Sequence, residues 1–171
     1  MIHEHFLAVA AKAPTTSGLR QGDSFASYAE LAERVARLAT GLAGRGIGRG
    51  SVVALLIPNS PEIFVVAHAL FAIGAIAMPL GITATRAELA ALGGKTGLAA
   101  VVAAPRFVAA AEALVADVNP AALLWRTDAL GELEANPGTL PTIASETTAL
   151  YLFSSGSTGL PKIVPHSHAE L

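Results

Sequence analysis

The amino-acid sequence predicts an α/β fold in which helices cover both faces of a mostly parallel sheet. Five short apolar runs, rich in branched side chains, have the composition of buried parallel strands, and their starts recur about every 24 residues. Amphipathic helical patterns fill the gaps between the runs. The chain has 171 residues, 53% of them hydrophobic, which suffices for one domain with a sizeable core. The predicted strands are SVVALLI (51–57), AIAMPL (75–80), LAAVVA (98–103), AALLW (121–125) and TTALYLF (147–153).

Composition excludes several classes of function. A net charge of −2 gives no reason to expect nucleic acid or an acidic membrane surface as a partner. The absence of cysteine excludes disulfides, thiolate metal sites and a cysteine nucleophile.

The N-terminus suits a short helix that ends before Pro14, because Ile2, Phe6 and Val9 fall on one face. A signal peptide is the alternative, since AKA follows a short apolar run. That run is only about six residues long, and Glu4 stands where a signal peptide carries positive charge. We therefore expect a cytoplasmic protein.

A hairpin and a long helix come next. GLRQGDSFASY predicts a hairpin that turns at residues 21–23. Ser27 and Glu30 form a Ser-x-x-Glu capping box at the start of the helix, and Gly44 supplies its stop. The apolar face of this helix consists of Leu31, Val35, Leu38 and Leu42.

The apolar segment IFVVAHALFAIGAIAMPL (63–80) reaches the lower length of a membrane span. His68 in mid-segment, Gly74 and Pro79 oppose that interpretation. A buried helix that begins at Pro61, stops at Gly74 and turns into a buried strand fits better, so we expect no membrane span.

Two further helices are predicted. Thr85 and Glu88 repeat the capping box before LAAL, and RFVAAAEALVADV (106–118) forms a helix after Pro105. The more polar stretch 126–146 is predicted to be a surface connection to the last strand.

The stretch YLFSSGSTGLPKIVPHSH (151–168) carries the candidate chemistry. Ligands of an open parallel sheet bind beyond the carboxyl ends of its strands, and this loop follows the last strand. Its glycines let backbone amides turn inward, its hydroxyls add donors, and Lys162 adds a full positive charge. These are the parts needed to hold a polyphosphate. The candidate residues are Ser154, Ser155, Gly156, Ser157, Thr158, Gly159 and Lys162.

Two other interpretations of this loop fit its sequence less well. The Walker pattern does not apply, because Leu160 and Pro161 separate Gly159 from Lys162. A flexible Ser/Gly linker is opposed by the strand directly before the loop and by the Pro-Lys pair directly after it.

The loop resembles the phosphate-binding signature of the adenylate-forming superfamily, which includes acyl-CoA synthetases, aryl-acid ligases and adenylation domains. Upstream, SYAELAERVARLATGLAGRG, PNSPE and TRAELAAL resemble the N-terminal block of the same superfamily, so the likeness covers nearly the whole chain. Ile163 stands where glycine is most common in the superfamily, which is reminiscent of its aryl-acid branch.

The resemblance implies that a small-molecule carboxylate attacks ATP to give an acyl-adenylate, and that the thiol of coenzyme A or of a carrier protein then takes the acyl group. Ser155–Gly159 and Lys162 would cradle the β- and γ-phosphates, with Mg²⁺ sharing the charge. No residue of this chain is an evident Mg²⁺ ligand, and no catalytic residue is expected in it. Residues 1–171 are therefore expected to be a partial N-terminal AMP-binding domain that stops just after the phosphate loop and is inactive alone. The alternative is a non-catalytic domain that binds nucleotide or another partner.

The remaining polar residues have ordinary explanations. His166 and His168 are two possible metal ligands without a third, and Ser167 with Glu170 predicts the start of a helix. His68 is expected in the core, and Asn59 and Ser60 are expected to cap the helix after the first strand rather than to contact substrate.

Overall fold

The computed structural model of the protein describes residues 1–154 and 162–171. Two 3₁₀ helices, Pro105–Phe107 and Thr127–Glu132, accompany the main elements. In chain order these are α1 (Ile2–Lys12), β1 (Gly18–Gln21), β2 (Ser24–Ser27), α2 (Tyr28–Gly44), β3 (Val52–Leu56), α3 (Pro61–Ala72), β4 (Ile76–Pro79), α4 (Arg86–Gly93), β5 (Leu98–Ala103), α5 (Val108–Val118), β6 (Leu123–Arg126), β7 (Thr148–Ser154) and β8 (Lys162–Ser167).

The predicted mostly parallel sheet is confirmed. Six strands lie in the order β6-β5-β3-β4-β7-β8, and every neighbouring pair is parallel except β7 with β8. The five predicted apolar runs form β3 to β7. The predicted hairpin forms a separate two-stranded sheet, in which Gln21 pairs with Ser24.

Helices cover both faces of the sheet, as predicted. Val53 and Leu55 of β3 point into a core shared with α1, α2 and α3. Val52, Ala54 and Leu56 point the other way, into a core shared with α4 and α5. All five residues of β3 are buried, which explains why this strand is continuously apolar in sequence.

The helix termini follow the local sequence signals. The amide of Ser27 donates to Glu30 Oε2 at 2.8 Å, and the amide of Thr85 donates to Glu88 Oε2 at 2.7 Å. Both capping boxes are therefore complete. Gly74 follows α3 with φ of 70°, a conformation that a side chain disfavours. The segment 63–80 is thus a helix followed by a strand, and within the described residues none of the helices has the length and apolar character needed to cross a membrane.

The sequence did not reveal β8. Pro165 lies within this strand and cannot donate a ladder hydrogen bond, but β8 is the edge strand, where proline is tolerated. The helix predicted to begin at Ser167 is a turn in this structure, although the amide of Ser167 does donate to Glu170 Oε2 at 2.7 Å.

The predicted surface connection, 126–146, also contributes to the core. Leu130, Leu133 and Ile143 are buried, and the segment packs along α2. Arg37 Nε donates to Glu134 Oε2 at 3.1 Å, and the amide of Gly138 donates to Thr40 Oγ1 at 3.1 Å. The segment is therefore fixed against the helix by backbone and side-chain contacts.

His68 lies within an aromatic cluster between α1 and α3, as its expected core position requires. Its ring centroid is 4.2 Å from that of Phe64, 4.9 Å from that of Phe6 and 5.6 Å from that of Phe71. Burial first, and then the neighbouring His3, lowers the pKa of His68 to about 4.

We expect Gly41→Ala to lower the free energy of unfolding by about 1–3 kcal/mol, because its new Cβ would collide with the backbone carbonyl of Leu133. Urea unfolding measures the change. Gly44→Ala is the matched control on the same helix. No atom lies within 4 Å of its new Cβ, so it should be neutral or stabilising by about 0.5 kcal/mol. Equal losses in both variants would contradict this packing of 126–146.

We expect His68→Phe to remove part of the acid sensitivity of the fold. Because the folded-state pKa of His68 lies below its unfolded value, its neutral form stabilises the protein fully above about pH 6.5. That contribution is lost as the pH falls toward about 4, at a cost of about 3 kcal/mol. Urea unfolding of both proteins across this range measures the difference, and parallel pH profiles would contradict it.

Candidate functional site

The carboxyl ends of the parallel strands form one edge of the sheet, which is where ligands bind in this type of fold. α3 leaves β3 toward one face, and α4 leaves β4 toward the other. β7 lies beside β4 and runs parallel to it, with Leu150 opposite Ala77. The carboxyl end of β7, at Ser154, therefore lies on this same edge.

The two described candidate residues face each other across the β7–β8 pair. Ser154 ends β7, Lys162 begins β8, and they are partners in the antiparallel register. Both residues are exposed. The pairing brings one hydroxyl and one ammonium group to the same position at the sheet edge. The other predicted residues, Ser155, Gly156, Ser157, Thr158 and Gly159, lie outside the described residues.

A cavity of about 310 Å³ lies where the helices diverge. The segments that follow β3 and β4 form its walls, and most of the side chains are apolar. The lining residues are Ile57, Pro58, Asn59, Ile63, Pro79, Leu80, Gly81 and Ile82. The edge that carries Ser154 therefore also offers a mainly apolar recess.

Asn59 is a residue whose position sequence reasoning missed. Of the two residues expected to cap α3, Ser60 is the N-cap, and no side-chain hydrogen bond from the described residues caps this helix. Asn59 is exposed and lines both the 310 Å³ cavity and a second cavity of about 230 Å³ beside β1. Gln21 Nε2 donates to the backbone carbonyl of Asn59 at 3.1 Å, which connects the hairpin to the loop between β3 and α3. The signal was available, because Asn59 lies three residues after Leu56, the last residue of β3, at the carboxyl end of that strand.

Arg86, the first residue of α4, follows the loop after β4, and its guanidinium is paired with Asp117. Arg86 makes two hydrogen bonds to Asp117, at 2.6 and 2.7 Å. These bonds hold the pKa of the Asp117 carboxyl below its usual range and raise the pKa of Arg86. Arg86 is therefore engaged in a structural pair, whereas Lys162 lies at the sheet edge itself.

The histidines after Lys162 do not build a metal centre with other described residues. Within residues 1–154 and 162–171, no group of three or more His, Asp or Glu side chains could hold a metal ion. His166 pairs with Leu150 across the strands, whereas His168 lies beyond β8 and is buried against Phe71 and His3.

Comparison with protein families decides the class of this chain. The model of the AMP-binding enzyme family matches residues 6–171. The chain belongs to this family. The match includes every strand of the sheet and the whole predicted phosphate loop.

Curated relatives of the family are similar to this chain over most of its length. The feruloyl-CoA synthase of Amycolatopsis sp. is 34% identical over an alignment of 161 positions that covers 92% of this chain and 31% of the relative. The salicyl-AMP ligase / salicyl-S-ArCP synthetase of Mycobacterium tuberculosis is 34% identical over an alignment of 169 positions that covers 90% of this chain and 30% of the relative. The chain thus spans about a third of the length of these relatives.

Solved structures agree with the observed fold. The N-terminal domain of FACL13 from Mycobacterium tuberculosis superposes with a TM-score of 0.87 at 25% identity, over 98% of this chain and 44% of that one. The N-terminal subdomain of NpsA from Klebsiella oxytoca, in complex with 3-hydroxybenzoyl-AMSN, superposes with a TM-score of 0.83 at 25% identity, over 98% and 41%. The six-stranded sheet is therefore the fold of the N-terminal region of family members.

Proposed function

We propose that this chain is the N-terminal part of an ATP-dependent acid–thiol ligase and carries its phosphate-binding loop. The ligase joins a small-molecule carboxylate to ATP as an acyl-adenylate, and then passes the acyl group to the thiol of coenzyme A or of a carrier protein. The observation that carries this proposal is the placement of Ser154 and Lys162 opposite each other at the carboxyl edge of the sheet, in a chain of the AMP-binding enzyme family.

In the proposed reaction a carboxylate oxygen forms a bond to the α-phosphorus of ATP, and the bond to the β-phosphate oxygen breaks. Pyrophosphate leaves with the charge that develops on it. The task of this chain is to bind and orient that leaving group, which is catalysis by positioning and electrostatics. The Lys162 ammonium, the Ser154 hydroxyl, and the amides and hydroxyls of 155–159 would hold it.

The β7–β8 pair suits this task because both ends of the loop are fixed. Ladder pairing extends from Thr148 with Ser167 to Ser154 with Lys162. A charged donor that starts at a defined place in a sheet loses less conformational freedom on binding than one in a free segment. Among the described residues no group of three or more His, Asp or Glu side chains could hold a metal ion, and no Mg²⁺ ligand is assigned there.

We further propose that the carboxylate is aromatic. Ile163 directly follows Lys162 and pairs with Phe153. The two relatives named above carry feruloyl and salicyl in their names, and the NpsA subdomain was solved with a 3-hydroxybenzoyl compound. The residues that would contact the acyl group are not assigned.

We expect Lys162→Ala to weaken binding of inorganic pyrophosphate and ATP by about 10- to 100-fold, because one charge-assisted contact is lost. Titration calorimetry measures both affinities. Lys95→Ala is the matched control, since Lys95 is also exposed but precedes β5 and lies at the opposite edge of the sheet. Equal affinities for the two variants would contradict the assignment of Lys162.

We expect the 171-residue chain to bind nucleotide without catalysing adenylation, because it corresponds to about a third of the catalytically named relatives. Carboxylate-dependent exchange of pyrophosphate into ATP measures this. Exchange above the protein-free rate would overturn the proposal that this chain is catalytically incomplete.

For the protein expressed from the complete gene, we expect aromatic acids to support ATP–pyrophosphate exchange at least about tenfold better than fatty acids. The comparison uses kcat/KM for salicylate, ferulate and octanoate under the same conditions. A preference for octanoate would contradict the aromatic assignment and leave the ligase assignment standing.

A further inference from the structure

Three histidines from distant parts of the sequence meet in the interior between α1, α3 and the end of β8. His3 is 8% exposed, His68 8% and His168 4%. The ring centroids of His3 and His168 are 6.0 Å apart, in an edge-to-face arrangement. Phe71 lies between His68 and His168. Its ring centroid is 5.6 Å from that of His68 and 5.8 Å from that of His168. We call His3, His68, Phe71 and His168 the histidine cluster.

The imidazoles of the cluster are poorly satisfied. Among the described residues, no hydrogen-bond partner reaches the buried Nδ1 atoms of His3 and His68 or either ring nitrogen of His168. A buried imidazole without a partner tolerates the neutral form far better than the charged form. Burial accordingly lowers the pKa of His3 and of His168 below 6.5.

The charged groups around the cluster would not neutralise a positive charge on the imidazole rings. Glu4 raises the pKa of both His3 and His168, but it is exposed and is already paired with the Met1 ammonium at 3.0 Å. That ammonium lowers both pKa values, and His3 lowers the pKa of His168 as well. The titratable group that α3 contributes to the cluster is another imidazole, that of His68. Two protonated rings 6.0 Å apart would therefore repel each other.

The cluster also connects segments that are far apart in the sequence. α1 packs on α3 through the contact of Phe6 with His68, and His3 of α1 contacts His168. Beyond β8, the amide of His168 donates to the carbonyl of Thr147 at 3.0 Å, next to the start of β7. His168 thus touches α1, α3 and the strand pair that begins at Lys162.

We propose that the histidine cluster is an acid-sensitive latch: protonation of His3 and His168 releases α1 and the end of β8 together, while the central sheet stays folded. The latch is closed at neutral pH, where the rings are neutral. It opens as the pH falls below 6.5, because the folded-state pKa values of both rings lie below that of an exposed histidine. This inference is independent of the proposed ligase function.

Hydrogen exchange of the full chain, followed from about pH 7.5 to about pH 4.5 and corrected for intrinsic exchange rates, tests the latch. We expect the amides of α1 and of 162–168 to lose protection by at least about tenfold with one shared midpoint. The amides of β3 should stay protected over the same range. Separate midpoints for the two segments, or unchanged protection in both, would overturn the proposal.

Substitutions assign the effect to the two rings. The double variant His3→Phe/His168→Phe keeps edge-to-face aromatic contacts and removes both titrations, so its α1 and 162–168 should stay protected to the lowest pH. His5→Gln is the matched control, because His5 is exposed on the same helix, and it should open as the unsubstituted chain does. Opening of the double variant at the unsubstituted midpoint would overturn the latch.

An NMR titration of the unsubstituted chain gives the same answer without substitutions, should the double variant fail to fold. The C2 protons of His3 and His168 must titrate at the midpoint at which both segments open. Titration of either ring near the ordinary value of 6.5, with the segments still protected, would overturn the proposal.

Discussion

The parallel pairing of β7 with β4 is the contact on which the candidate site depends. β4 also pairs with β3, the strand that is buried on both faces, so β7 is aligned with the centre of the fold. Ala149 of β7 is fully buried, which fixes which way this strand faces. Parallel alignment directs the carboxyl end of β7 to the edge where α3 and α4 diverge. A strand running the other way would put Ser154 and Lys162 at the edge where Lys95 lies.

Reaching that position requires the chain to cross the sheet, because β6 and β7 lie on opposite sides of β3. The segment 126–146 makes this crossing along α2, and its contacts there explain its composition. Glu134 is held by Arg37, Gly138 by Thr40, and Leu133 lies against Gly41. The same stretch is polar where it faces solvent and apolar at three positions where it faces the core. The segment is polar on average, so its composition alone did not reveal the three buried apolar positions.

Much of the fold follows from the sequence because short-range signals agree with long-range packing. The apolar runs, the two capping boxes and Gly74 each specify a boundary that the structure shows. β8 and the histidine cluster were missed for the opposite reason. The strand pattern of β8 is interrupted by Pro165, which only its edge position permits. His3, His68 and His168 are brought together by tertiary packing, and no spacing in the sequence predicts their contact. For the site, the sequence named Ser154 and Lys162, but their direct pairing depends on β8 being a strand.

The central claim is that the β7–β8 turn binds the polyphosphate of ATP at the carboxyl edge of the sheet. A crystal structure of the chain with inorganic pyrophosphate or ATP tests this most directly. The account predicts phosphate oxygens about 3 Å from the Lys162 ammonium and in contact with the loop that follows Ser154. A polyphosphate bound at another edge of the sheet, with the Lys162 side chain directed away from it, would contradict the account.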